Sequence, residues 1–238
     1  MRKYLVQRFF FGILSLIAAT LIVFVLSRAQ GDPLLLYAKP GGYGVSPEQV
    51  AALEAKLALD KPLIVQYLIW LGRTVRGDLG QTLLAEQDVG HYIMQRLGAT
   101  MQLGLIAWVL ATLIGVPLGV LSAVKRGTLW DYIGRAFALL GQATPVFFLG
   151  ILGILLFAVT WGWLPAGSRP VHDPFWPSQA KALVMPAIAL GWGPAAAYLR
   201  LSRSAMLEVL DSEYVMLARA KGVSSNLVIW RHAFRNAL

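Results

Sequence analysis

Four apolar runs, each long enough to cross a bilayer, constrain this chain more than any other feature. A helix needs about 20 predominantly apolar residues to span the hydrocarbon, and runs of that order lie at 5–27, 97–124, 132–164 and 182–203. Only 14% of the residues are charged and 57% are hydrophobic, against about 25% charged in soluble chains. A folded chain of 238 residues exposes too much surface to hide that apolar material from water. Lipid is therefore the solvent, and the fold class is all-α, a polytopic membrane helix bundle.

The net charge of +9 is distributed in a way that fixes a topology and excludes a nucleic-acid surface. Arg2, Lys3 and Arg8 precede the first run, Lys125 and Arg126 sit in a short connection, and Arg219, Lys221, Arg231 and Arg235 lie in the tail. Between the first two runs, positive and negative side chains cancel. The excess alternates across the runs, which is the positive-inside pattern. A nucleic-acid binder would gather its charge on one soluble face. The pattern predicts a cytoplasmic N-terminus, with 28–96 outside, 125–131 inside, 165–181 outside and 204–238 inside. The run at the N-terminus exceeds the 7–15 residues of a signal peptide and lacks a small-residue cleavage site, so it reads as an uncleaved helix. There are no cysteines, which excludes a disulfide framework and thiolate metal sites.

The spans differ in character. The second holds Gly104, Gly115, Pro117 and Gly119, and the fourth holds Pro186, Gly191, Gly193 and Pro194; packing is the expected role of these glycines. The third is unusually long. Trp130 and Tyr132 flank one end and Trp161 and Trp163 the other, an aromatic spacing of roughly 44 Å for a continuous helix, with a kink expected at Pro145. In the external segment, Gly31-Asp32-Pro33, Pro40-Gly41-Gly42 and Gly77-Asp78-Leu79-Gly80 read as turns. Ser46 starts a helix expected to reach Leu59, and a second helix is expected over Leu63–Val75. The predicted organisation is a first span (1–27), an external helical cap (28–96), a core of three spans (97–212) and a tail (213–238).

The tail is amphipathic. Glu213–Lys221 reads as a short helix stopped by Gly222, and Ser224 or Ser225 caps a second. There Leu227, Trp230, Phe234 and Leu238 form one apolar stripe, with Arg231 and Arg235 on another face. Periodicity alone leaves two uses open for this pair: docking on a protein, or lying in the lipid interface.

Several sequence blocks carry a resemblance. Glu213-Tyr214-Val215, Ala218-Arg219-Ala220-Lys221-Gly222, His232-Ala233 and Arg235-Asn236-Ala237-Leu238 form the last of them. Earlier come Gly31-Asp32-Pro33, Leu59-Asp60-Lys61-Pro62, Arg96-Leu97-Gly98-Ala99-Thr100 and Gly115-Val116-Pro117-Leu118-Gly119, then Arg203-Ser204-Ala205-Met206-Leu207-Glu208-Val209-Leu210. In this order they resemble the permeases of binding-protein-dependent ABC importers, in the dipeptide, oligopeptide and nickel branch. Met216 stands where the general loop pattern of such permeases begins an acid-Ala-Ala triplet, so the match is to the peptide-type loop.

The resemblance implies a bacterial inner-membrane subunit that works with a second permease subunit, two cytoplasmic ATPases and an external substrate-binding protein. It implies that Glu213, Tyr214, Ala218, Arg219, Ala220, Lys221, Gly222, His232, Arg235 and Asn236 couple the bundle to the ATPase. Six transmembrane helices are expected in such permeases, of which four lie before Leu238, so the chain reads as C-terminally truncated. Di- or oligopeptides are the expected cargo; nickel, glutathione and opine-type solutes, or a non-functional fragment, are the alternatives.

No Gly-x-x-x-x-Gly-Lys-Ser/Thr loop occurs, so no cofactor is expected on this chain, and ATP and Mg are assigned to the partner ATPase. His91, His172 and His232 lack the spacing of a metal cluster, and no catalytic residue stands out. Polar residues inside apolar spans are the candidates for a translocation path: Gln102, and Gln142 and Thr144 beside Pro145. Interhelical hydrogen bonding is the competing role for them.

Overall fold

The structure, a computed structural model, describes residues 1–29, 51, 54–55, 57–82, 87–167 and 176–237. The turns expected at 31–33 and 40–42, the helix start at Ser46, and Leu238 lie outside them. Among the described residues the fold is all-α, with one isolated β-bridge, Gln81–Asp88. The chain divides into two compact units, Met1–Leu97 and Gly98–Leu238.

In the first unit α1 (Arg2–Ala29) is longer than its apolar run at both ends, because Arg2, Lys3 and Arg28 continue the helix into the polar boundary. The helix preceding residue 58 ends two residues short of the expected Leu59. Ala58 adopts φ +53°, and Leu59 N donates to Glu54 O (3.0 Å) across it, the bond that closes a helix on a left-handed residue. Helix α2 (Leu63–Val75) coincides with its expected range. The turn after it takes positive φ at Gly77 and Gly80, where glycine costs nothing.

Helix α3 (Val89–Val124) begins eight residues before the expected 97. The Asp88 carboxylate accepts the His91 N–H at 2.7 Å and so caps a helical start within the polar segment. Among the described residues three helices are long and apolar enough to span a membrane: α1, α3 and α6 (Trp176–Leu210). Helices α4 (Leu129–Ala143) and α5 (Val146–Gly153), the latter continued by a π-helical segment π1 (Ile154–Thr160), make a fourth if taken as one broken span.

That break differs in degree from the expected kink. The axes turn by 101° at Thr144-Pro145, so the end-to-end length of a continuous helix does not apply. Proline supplies no N–H and forces the residue before it into extended backbone, and Thr144 has φ −90° and ψ 119°. Its hydroxyl and its N–H both donate to Leu140 O, at 2.7 and 3.0 Å, closing the helix end. By contrast α6 runs unbroken through Pro186 and Pro194 and extends past both ends of the expected 182–203.

Small residues bring α3 and α6 together. Ala107, Ala111, Gly115 and Gly119 recur every four residues along α3, and all are buried. A Cβ on Gly119 would meet Leu199 O at 2.5 Å and Ser202 Cβ at 2.7 Å, and one on Gly115 would strike Ala195 O. Close backbone approach of this kind holds membrane helices together. Gly191 approaches Ala107 in the same way, whereas Gly104 faces open space.

Candidate functional site

The tail forms two helical pieces folded onto the ends of α3 and α6. Helix α7 (Glu213–Ala220) follows a two-residue turn, in which the Ser212 hydroxyl donates to Val209 O (2.6 Å). Its end is a complete Schellman closure. Gly222 N donates to Arg219 O (3.0 Å) and Val223 N to Ala218 O (3.2 Å), around a Gly222 φ of +76°. The turn at Gly222 therefore stands as read from the sequence.

The second piece departs from expectation. Ser224 occupies the N-cap position but makes no side-chain cap bond, and after α8 (Ser225–Leu227) the chain is π-helical over π2 (Val228–Phe234), then α-helical in α9 (Arg235–Ala237). Hydrogen bonds from i to i+5 align residues five apart. Val228 and Ala233 are the buried pair. The α-helical stripe is consequently split: Leu227 and Trp230 are exposed, whereas Phe234 is half-buried against the core, with the Trp230 and Phe234 rings edge-on at 5.2 Å.

Val215 and Ala218 of α7 and Val228 and Ala233 of π2 pack with Val120, Ala123, Met206 and Leu210 in one apolar core. The loop is thus fixed to two long helices at once. Of the sequence candidates, Ala218 is buried and His232 half-buried, while Glu213, Tyr214, Arg219, Ala220, Lys221, Gly222, Arg235 and Asn236 are exposed. Asn236 Nδ2 donates to His232 O (2.8 Å) along the helix. Met216 and Leu217 add apolar surface beside Tyr214. The free side of the tail therefore mixes aromatic, apolar and cationic groups.

A buried polar cluster, which sequence reasoning did not single out, adjoins this core at Ser122. Asp131, 2% exposed, accepts two bonds from the Arg203 guanidinium, Nε at 2.8 Å and Nη2 at 3.1 Å. The Ser122 hydroxyl donates to the same carboxylate at 2.7 Å, and Gly127 N at 3.1 Å. Arg135 approaches it at 3.7 Å. One carboxylate thereby ties together α3, α4, α6 and the α3–α4 turn.

The path candidates are not brought together. Gln102 lines an apolar groove of about 640 Å³ between α3, α4 and α6, beside Phe137 and Trp192, whose rings lie 4.5 Å apart. Gln142 lines a different groove with Arg135 and Arg200, and its Oε1 accepts a bond from Arg200 Nη1. Thr144 and Pro145 form the break and border neither groove. No group of metal-ligating side chains exists among the described residues.

Comparison with known proteins decides the family. Residues 115–238 match the binding-protein-dependent transport system inner membrane component, and residues 1–104 match the N-terminal region of such membrane components. The chain belongs to this family. It is a transport component rather than an enzyme, and a multi-pass protein of the inner membrane. It is 39% identical over 242 residues to a protein of Brucella suis biovar 1 named as a peptide permease, covering all of this chain and 76% of that one. It is 35% identical over 262 residues to the dipeptide transport system permease protein DppB of Escherichia coli K12, covering all of this chain and 77% of DppB. A Brucella abortus protein named as a peptide transport system permease is 39% identical over 226 residues, covering 94% of this chain and 70% of that protein.

Proposed function

We propose that this chain is a permease subunit of an ATP-driven importer of di- or oligopeptides, with residues 213–237 as the surface that docks on a cytoplasmic ATPase. The observation that carries the reading is the anchoring of α7 and π2. Buried residues of both sit in one core with the ends of α3 and α6, while Tyr214, Arg219, Lys221 and Trp230 face outward. A short helix pair wedged on two spanning helices transmits displacement, because packed interiors shift as units rather than deforming continuously. Closure of two ATPases around ATP and Mg would thereby move α3 and α6 and alternate access to the path. The peptide-transport names of the relatives support the cargo.

The assembly contains a second permease subunit, two ATPase subunits and an external binding protein. The N-terminus lies in the cytoplasm, so a reporter fused after Lys39 is external and one after Arg126 is cytoplasmic. The guanidinium of Arg200 and the amide of Gln142 are the strongest path candidates, since a charged group in an apolar span is costly unless used.

The test is co-purification of the ATPase together with labelled-peptide uptake by the assembled transporter. Arg219→Glu combined with Trp230→Ala lowers both at least tenfold. Full retention of the ATPase and of uptake removes the docking role; uptake of nickel or glutathione but no peptide removes the assigned cargo.

A further inference from the structure

Helix α2 leaves an apolar stripe uncovered, which an element standing in water does not do. Its buried side carries Gln66 and Tyr67, at 8% and 5% exposure, while Ile64, Leu68 and Val75 are 69%, 58% and 79% exposed. Those three positions fall on one helical stripe, opposite Gln66 and beside Tyr67. A water-facing helix turns its apolar stripe inward. Here the polar amide is inside, satisfied in part by the Lys61 carbonyl at 2.8 Å.

The contacts of Tyr67 give the depth at which this happens. Its hydroxyl lies 3.0 Å from Thr20 Oγ1 and donates to Ile17 O at 3.2 Å. Ile17 is twelve residues before the end of α1, about 18 Å along the helix. Phe24 is the buried residue of α1, and it packs against Tyr67 and Trp70 of α2. Helix α1 has the length and hydropathy of a membrane span, so the Tyr67 hydroxyl, bonded part-way along it, sits within the bilayer. Above it, Phe24, Tyr67 and Trp70 form an aromatic cluster with ring centroids 5.6–5.9 Å apart, the composition of a membrane boundary.

The geometry points to α2 as an interfacial helix, bound to α1 through Tyr67 and Trp70 and inserting Ile64, Leu68 and Val75 among lipid acyl chains. The exposed Lys61 and Arg76 at its two ends stand where phospholipid phosphates lie. The segment after the first span is therefore fastened to the membrane by a second, non-spanning element. The choice of the outer leaflet rests on the topology proposed above; the contact with lipid does not.

The chain has no cysteine, so single-cysteine variants can carry a spin label at chosen positions. In the assembled transporter in phospholipid nanodiscs, labels at Ile64→Cys, Leu68→Cys and Val75→Cys collide several-fold more with oxygen than with a water-soluble nickel chelate. A label at Arg76→Cys shows the reverse. The unsubstituted protein provides a second reading: a phospholipid with a diazirine in its acyl chain forms adducts on the peptide containing Ile64 and Leu68. Water-like collisions at 64 and 68 overturn the inference. So does protection from both reagents, which would mean that another protein chain covers the stripe. Neither readout depends on transport, so a wrong cargo leaves this result standing.

Discussion

Asp131 on α4 and Arg203 on α6 form a two-pronged ion pair, with both carboxylate oxygens engaged at 2.8 and 3.1 Å. Such fork-to-fork geometry is the strongest form of this contact and fixes orientation as well as distance. Arg203 lies seven residues before the end of α6, so the pair holds α4 to the last two turns of that helix.

Removing one partner is the informative experiment. Asp131→Ala leaves the Arg203 guanidinium, only 22% exposed, without its counter-charge. A loss of about 3–5 kcal/mol is expected for breaking a buried pair. Asp131→Ala with Arg203→Leu recovers much of it, since the stranded charge goes too. Thermal unfolding of the purified complex, arranged as a double-mutant cycle, measures both; equal losses in the single and double variants would contradict the pairing.

At Gly222 the cost of substitution is conformational alone. No atom lies within 4 Å of a Cβ placed there, yet φ is +76°. Gly222→Ala costs about 1–2 kcal/mol from the left-handed backbone, and Gly222→Asn costs less because asparagine tolerates that region. Peptide uptake follows the same order: glycine, asparagine, alanine. An alanine variant as active as the parent would show that the turn need not keep this shape.

Two glycines of α3 serve as a matched pair for packing. Gly119→Ala pushes a methyl against Leu199 O and Ser202, costing about 1–3 kcal/mol as overpacking. Gly104→Ala meets nothing within 4 Å and gains helix propensity, up to about 1 kcal/mol. Melting temperatures of the two variants therefore move in opposite directions.

Ala58 offers the opposite of a defect. It is a buried L-residue in the left-handed region that closes a helix. Ala58→Gly relieves that backbone and stabilises the first unit by about 1 kcal/mol. Slower amide exchange at Leu59, whose N–H crosses the turn, is the expected signature.

How far the sequence could be read depends on the range of each interaction. The spans, α2 and the stop at Gly222 follow from local rules: apolar length, N-terminal proline, C-terminal glycine. Asp131 and Arg203 are 72 residues apart, and nothing local in the sequence pairs them. The π2 register cannot be seen from a period of 3.6, because Val228 and Ala233 align only after one residue is added to the turn. Pro145 announces a kink but not its size; 101° follows from how α4 and α5 each pack on α6. Which side of α2 is left exposed depends on what α1 offers Tyr67, a hydroxyl and a carbonyl, which α2 alone does not reveal.

The break at Thr144-Pro145 also bears on hydration. Helix α4 has 15 residues, as do α5 and π1 combined, so each arm extends about 22 Å, short of the roughly 30 Å of hydrocarbon. Neither arm crosses alone, and their junction lies at depth. Pro145 brings no N–H to the Gly141 carbonyl four residues earlier, and acyl chains have no donor to lend. Opened backbone at that level must be met by another protein segment or by solvent entering from one side. Replacing Pro145 returns a donor to that carbonyl, so a fall in midplane hydration on replacement would originate at this joint.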